Sequence, residues 1–380
     1  MSDSKKGLTY AATGVNYDTM DPFKRVAQLA ARDTDRCADR FGFKVVGWSR
    51  GESAFLIETP WGYIAHVEEG LGTKNLVADA MLQLVDGISF AGRTRTFYDQ
   101  VAQCNVAMAV NDMITLGALP VSYAQHLAVG DSDWFKNDRR CHDLVEGTKR
   151  ACLQAGCVWG GGETPTLQGI VLPLTAVLSG SATGIIAPKE KVINPGRIKD
   201  GDVIVMFTSS GVHANGYTLA RKIAKKLPDG YLTQVNMRQT YGEMLLDPTH
   251  IYVELIRSCQ MTGIDIHYAV NVTGHGWRKL MRAEGNFTYV IDELPPNPSP
   301  IFRFIQQHGP VSDKEAYSTF NMGAGFAIYV APEDVSKVLE AAQGQPFQAY
   351  VAGHIEASSE KKVVISPLGI EFGGNTLAVR

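Results

Sequence analysis

VIVMFTSSGVHANGYTLARK, residues 203–222, runs from a block of β-branched and aromatic residues through a Ser-Ser-Gly turn into a helical spacing. Val203–Phe207 reads as a buried strand. Leu219 and Ile223, with Leu227 four further on, read as one face of a helix beginning near Asn215. Open backbone N–H groups at such a helix start, beside the hydroxyls of Ser209 and Ser210, attract phosphate or another anion. Gly211 and Gly216 give the turn its freedom. His213 lies inside it, either orienting or protonating a substrate or packing as a structural loop histidine.

The same alternation of strand and helix extends in both directions. Residues 54–67, AFLIETPWGYIAHV, read as two strands joined at Pro60-Trp61-Gly62. Phe97, Val101, Cys104, Met108 and Asp112 share one helix face. A second helix over about 137–155 stops at Gly156, and a strand over 157–160 leads into GGGETPT. Residues 164–188 carry no charge, but Pro173, Ser179, Gly180, Ser181 and Gly184 break them into short buried strands joined by a turn rather than a membrane helix. The polar, turn-rich NPGRIKDGD (194–202) places a boundary near 188–200, giving domains 1–188 and 189–380. ELPPNPSP (293–300) is too rich in proline for helix or strand. The chain closes with a strand near 324–330, a helix opened by Pro332, and strands around 348–353 and 362–365. The fold class is therefore α/β (α+β), in two mixed domains.

Composition excludes several classes. Of 380 residues 20% are charged, the net charge is −3, and basic residues are dispersed, so neither nucleic acid nor an anionic membrane is expected as partner. Six cysteines form no C-x-x-C pair and have no histidine cluster beside them, which argues against zinc and against a disulfide framework. MSDSKKGLTY lacks the apolar stretch of a secretory leader. A cytoplasmic, reducing location is expected.

Three carboxylates stand beside turns. Asp112 continues an apolar helix face, where a carboxylate needs a cation or hydrogen-bond donors, so it is either a ligand or an Asp held by neighbouring backbone or Lys. Glu69 shares its strand face with Ala65 and Val67, whereas Glu68 points the other way. Glu163, in WGGGETPT (159–166), follows glycines that let backbone approach a ligand; a plain glycine turn is the other reading. Together Glu69, Asp112 and Glu163 suit Mg²⁺. IAHVEEGLGTK (64–74) ends like a phosphate loop but is not one, because Thr73 precedes Lys74 and the glycines are only two apart.

These segments, taken in order, resemble the phosphoribosylformylglycinamidine cyclo-ligase (aminoimidazole ribonucleotide synthetase) family over nearly the whole chain. LTYAATGV (8–15), EGLGTK (69–74), AVNDMITLGALP (109–120), GGET (161–164), SSGVHANGYTLARK (209–222) and TFNMGAGF (319–326) are similar to its signatures. The resemblance implies a homodimer whose N-terminal strands build a shared barrel. It implies ATP held with Mg²⁺ among carboxylates rather than in a Walker loop. Glu69, Asp112 and Glu163 become metal ligands; Gly14, Val15, Gly70, Gly72, Thr73, Lys74, Asn111, Gly162 and Thr164 become nucleotide neighbours. Ser209, Ser210, Gly211, Asn215 and Gly216 become substrate neighbours, with His213 and Asp112 as catalytic residues. The implied substrate is formylglycinamidine ribonucleotide. ATP phosphorylates its formyl amide oxygen, and the substrate's own amine then closes the imidazole ring.

Two positions depart from the family pattern. Glu69 stands where the family has Asp, moving the carboxylate by about 1.5 Å. VTGHGW (272–277) puts His275 where a glycine is usual; if that position has φ > 0, His is strained there. A same-fold enzyme phosphorylating another acceptor, or a non-catalytic nucleotide-binding homologue, are the competing readings.

Overall fold

The computed structural model describes residues 13–14, 17–84 and 95–377. In the first half lie α1 (Tyr17–Arg32), β1 (Lys44–Val45), β2 (Phe55–Thr59), β3 (Gly62–Gly70), α2 (Asn75–Leu84), α3 (Tyr98–Met113), β4 (Leu119–Val129), α4 (Asp138–Ala155), β5 (Val158–Glu163) and β6 (Ala176–Ile186). Their strands form a six-stranded sheet in the order β1-β2-β3-β6-β4-β5, antiparallel apart from the β4–β5 pair. Along β6, buried and more exposed residues alternate. Ala176, Leu178, Ala182 and Ile186 face the core, while Val177, Thr183 and Ile185 face outward.

The second half contains β7 (Val203–Thr208), α5 (Tyr217–Ala224), α6 (Tyr241–Leu245), α7 (Val253–Met261), β8 (Ile266–Asn271), β9 (Phe287–Ile291), α8 (Ile301–His308), α9 (Asp313–Thr319), β10 (Ala324–Val330), α10 (Val335–Ala341), β11 (Ala349–Ala357), β12 (Lys362–Ile365) and β13 (Ile370–Gly373). Its seven-stranded sheet has the order β13-β12-β9-β11-β7-β10-β8. Strands β8 and β10 are buried at every position. Both faces of this sheet are covered. Val205, Phe207, Phe326 and Ile328 pack on the side of Val253 and Val338, whereas Ile204, Met206, Ala327 and Tyr329 pack on the side of Leu219 and Phe302. Coverage on both faces is why these strands read as continuous apolar runs.

The sequence stripe on α3 turns out to be part of a helix buried almost all round, from Tyr98 to Met113. The reason is its position. One side packs on the inner face of the six-stranded sheet, and the other meets the second half of the chain. Polar residues on α3 serve that second contact. Gln103 Nε2 donates to Thr249 O (2.9 Å), Asn111 Nδ2 to His250 O (2.8 Å), and Tyr252 N donates to Asn111 Oδ1 (3.0 Å). Both apolar clusters draw residues from either side of the boundary expected near 188–200, so the halves share their cores.

Two local readings change. The helix expected from Asn215 begins at Tyr217, because Gly216 takes a left-handed conformation (φ 77°) at its N-terminus. The uncharged stretch 164–188 holds one strand, β6, preceded by a loop tied down by isolated bridges at Thr166 and Gln168. Pro165 and Pro173 lack the N–H groups that a second ladder would need.

Candidate active site

A cavity of about 460 Å³ opens where the end of β3, the last turn of α3 and the segment after β8 converge. Alternation along β3 sends Glu69 to the core side with Ala65 and Val67, as its spacing predicts, and leaves it half-buried at the cavity wall. Glu68 also borders the cavity but is exposed. Asp112 enters from α3 and is buried. Its Oδ1 accepts a hydrogen bond from Asn271 Nδ2 at 2.7 Å, and its carboxyl shares a hydrogen bond with that of Glu69. Burial, then the neighbouring Asp112 charge, pushes Glu69 up to about 8, against the opposing pull of the Lys279 ammonium. At neutral pH the pair therefore keeps a proton.

The opposite wall is basic. Lys279 is buried and donates to Thr273 Oγ1; burial holds its ammonium below the ordinary lysine range, while Asp112 and Glu69 favour its charge. Arg282 closes the turn 51–53, its Nε and Nη2 donating to Gly51 O (2.9 and 2.7 Å) and Nη1 to Ser53 Oγ (2.8 Å). That turn presents Glu52, whose Oε2 accepts from Tyr268 OH at 2.8 Å. Glu52, Lys279 and Arg282 all border the cavity and were not found from sequence. In GHGWRKLMR the basic residues look like a solvated face. A helical projection from Trp277, which is fully buried, would have put Leu280 and Met281 inward, but nothing local separates Lys279 from Arg278.

His275 borders the same cavity with φ 72°, so the position does require the left-handed region that favours glycine. Burial, then the cations Arg278, Lys279, Lys24 and Arg282, pushes its imidazole down to about 3, and it stays neutral.

The expected nucleotide and substrate residues divide into two groups. Asn215 borders the cavity, and its buried Nδ2 has no hydrogen-bond partner among the described residues. Thr73 Oγ1 and both ring nitrogens of His213 are buried without partners as well. His213, at φ 58°, packs beside His250 and Tyr252 behind the cavity wall rather than on it. Burial, then His250 and Lys74, holds its pKa well below the usual value.

Other residues of the motif turns build them. Gly72 makes its turn at φ 72°, next to exposed Gly70. Lys74 is fully buried, donating to His213 O (2.8 Å) and Asp247 O (2.6 Å), and so ties the EGLGTK turn to the SSGVHANG turn. Ser209 Oγ donates to Asn321 Oδ1 (2.9 Å), Ser210 Oγ to Pro248 O (2.6 Å), and Asn321 Nδ2 to Gly211 O (2.9 Å). Asn111 is the clip to 250–252 already described.

Glu163 is not brought to the other two carboxylates within one chain. The register Gly70–Ser179–His126–Glu163 sets it three strand spacings away, roughly 14 Å. It is exposed at the sheet edge with Thr164, whose N–H donates to its Oε1 (3.2 Å). Gly162 is needed there, since a Cβ would come within 1.8 Å of Gln125 O. Gly14 is exposed, and Val15 lies outside the described residues. Among the described residues no group of three His, Cys, Asp or Glu side chains is arranged around a metal position. Glu69 and Asp112 nevertheless fit Mg²⁺ in its usual protein setting, one or two carboxylates with nucleotide phosphates completing the shell.

With known proteins the chain shows the following likenesses. Residues 72–186 match the AIR synthase related protein N-terminal domain, and residues 199–366 match the corresponding C-terminal domain. A phosphoribosylformylglycinamidine cyclo-ligase of Carboxydothermus hydrogenoformans is 32% identical over 94% of this chain and 99% of its own length. One from Methanocaldococcus jannaschii is 32% identical over 93% of each. Among solved structures, hydrogenase maturation protein HypE in complex with ATP superposes with a TM-score of 0.58 at 14% identity, over 83% of this chain and 85% of that one. T. maritima PurL complexed with ADP gives 0.55 at 15% identity, over 87% of this chain and 46% of that one. The two structures share its fold.

Proposed function

The chain belongs to the AIR synthase related family, and from that membership we propose that it is an ATP-dependent phosphoribosylformylglycinamidine cyclo-ligase of purine biosynthesis. The observation that carries this reading is that half of the cavity's lining residues come from the matched segments, while Glu69 and the 51–53 turn lie before the first of them. Asp112 lies in the first, and Asn215, Thr273, His275, Lys279 and Arg282 lie in the second. The reaction takes formylglycinamidine ribonucleotide and ATP to aminoimidazole ribonucleotide, ADP and phosphate. The formyl amide oxygen attacks the γ-phosphorus and ADP leaves. The substrate's amine then attacks the activated carbon, and the C–O bond breaks to release phosphate.

Such chemistry is mainly alignment and neutralisation of phosphoryl charge. Bound Mg²⁺ would be held by Glu69 and Asp112 and would neutralise charge on the transferred group. Asn271 orients Asp112 through its amide. The unpartnered Asn215 Nδ2 donates to a substrate oxygen, and Lys279 sets a positive charge beside the phosphates. Lys74 contributes by holding the two turns together, not by touching phosphate. His213 acts from behind the wall, through the backbone of its turn.

The same reading makes the protein a homodimer. The outer face of the six-stranded sheet exposes Val121, Val177 and Ile185, and a second copy would cover them. Pairing of the sheets would also give Glu163 a partner chain to face. Among the described residues no helix is long and apolar enough to cross a membrane, and all six cysteines are free thiols, which suits a cytoplasmic enzyme.

The test is an isotope experiment. With ¹⁸O in the formyl amide of the substrate, one labelled oxygen should appear in each inorganic phosphate released. Label retained elsewhere, or phosphate carrying solvent oxygen, rules out phosphorylation of that oxygen.

A further inference from the structure

The turn after β8 is clamped on every side but one. Trp277 Nε1 donates to Asn321 O (2.7 Å), and Tyr329 OH donates to Leu280 O (2.6 Å). Arg278 Nη1 and Nη2 donate to Thr376 O (3.0 Å) and Ser318 O (2.9 Å). Backbone and neighbours of residue 279 are thus fixed, and its side chain is left only the cavity to enter. There Lys279 meets Thr273 Oγ1 and lies beside the Asp112 and Glu69 carboxyls. A buried ammonium persists only when opposite charge or hydrogen-bond acceptors offset its lost hydration. Two adjacent carboxylates have the mirror problem. Each offsets part of the other's.

We propose that Lys279 is a built-in counter-cation of the Glu69–Asp112 pair, which weakens divalent metal binding to the nucleotide-free protein so that metal enters together with ATP. The inference rests on the reading of Glu69 and Asp112 as the metal pair. A divalent ion approaching the cavity without nucleotide meets carboxylates already partly neutralised and an ammonium that repels it. ATP changes the balance. Its phosphates bring several negative charges, and the ammonium, with three donors on a flexible stem, can turn towards them. The carboxylates are then released for metal carried on the same phosphates. An enzyme built this way does not fill its phosphate site with metal before the nucleotide arrives.

The experiment is titration of the full-length protein with Mn²⁺, following free ion by electron paramagnetic resonance, with and without a non-hydrolysable ATP analogue. Wild type, Lys279→Met and Lys279→Gln are compared, and Asp112→Asn is added to each. Without nucleotide, Lys279→Met should tighten Mn²⁺ binding about tenfold or more, as removal of a close like charge requires. Lys279→Gln retains a partner for Thr273 Oγ1 and should do the same even if the Met variant folds poorly. Adding Asp112→Asn should cancel the gain, and with the analogue present the gain should shrink. If both Lys279 variants bind Mn²⁺ as wild type does while Asp112→Asn weakens binding with nucleotide, the metal pair stands and the counter-cation falls. If Asp112→Asn leaves Mn²⁺ binding unchanged in every background, the metal pair itself is wrong and the inference goes with it.

Discussion

At Glu69 the folded chain keeps a proton that the unfolded chain gives up. Its folded value of about 8 stands above the ordinary 4.5, so between those limits the native state binds more protons. Stability must then fall as pH rises through this window, because unfolding releases the proton. Glu69→Gln removes the titration. In urea unfolding of the metal-free protein from pH 5 to pH 8, wild type should lose stability relative to Glu69→Gln; parallel curves would show that Glu69 does not hold the proton. Asp112→Asn keeps an acceptor for Asn271 Nδ2, so the variant should fold, while turnover drops about a hundredfold or more through the lost charge. Wild-type turnover in that variant would remove Asp112 from the chemistry. At His275 the left-handed backbone separates two substitutions. His275→Gly should be more stable than His275→Ala by about 1 kcal/mol, since both lose the ring but only Ala retains a Cβ at φ 72°.

Lys74 belongs to the scale of elements, because its ammonium joins the turn before α2 to the turn before α5. Lys74→Met should cost about 2–4 kcal/mol by leaving two carbonyls without their charged donor. Thermal unfolding checks this, and a variant as stable as wild type would mean the tie is unimportant. The case also shows what sequence could and could not tell. The motif turns, their order and the strands and helices around them were legible, since turn residues and periodicity are local signals. So was the inward face of Glu69, which follows from alternation along β3. What Lys74, Asn111 and Ser209 bond to was not legible, because each partner lies more than a hundred residues away. Arg282 was missed for the same reason, and Lys279 because nothing local separates it from Arg278. Their inward direction is set by Trp277, Leu280 and the 51–53 turn, not by their own spacing. Within one chain, sheet register keeps Glu163 at the edge, away from Glu69 and Asp112, which proximity to turns could not reveal.

Over the whole molecule, the shared cores explain why the polar, turn-rich stretch near 188–200 does not divide the packing: α3 lies between the halves, packed in both apolar clusters and tied to the second half through Gln103 and Asn111. The outward row Val177 and Ile185 carries the expectation of dimerisation. Val177→Lys with Ile185→Lys should yield a folded monomer at micromolar concentration by sedimentation, where wild type should sediment as a dimer; wild type sedimenting as a monomer would refute the interface. The membership of the family and the charged cavity meet in one chemical claim, ring closure driven by ATP. Incubation with ATP, Mg²⁺ and formylglycinamidine ribonucleotide, assayed for aminoimidazole product alongside ADP, tests it most directly. Product and ADP should form one for one, with both lost in Asp112→Asn. ADP formed without aminoimidazole, or no turnover of the authentic substrate, would overturn the cyclo-ligase reading.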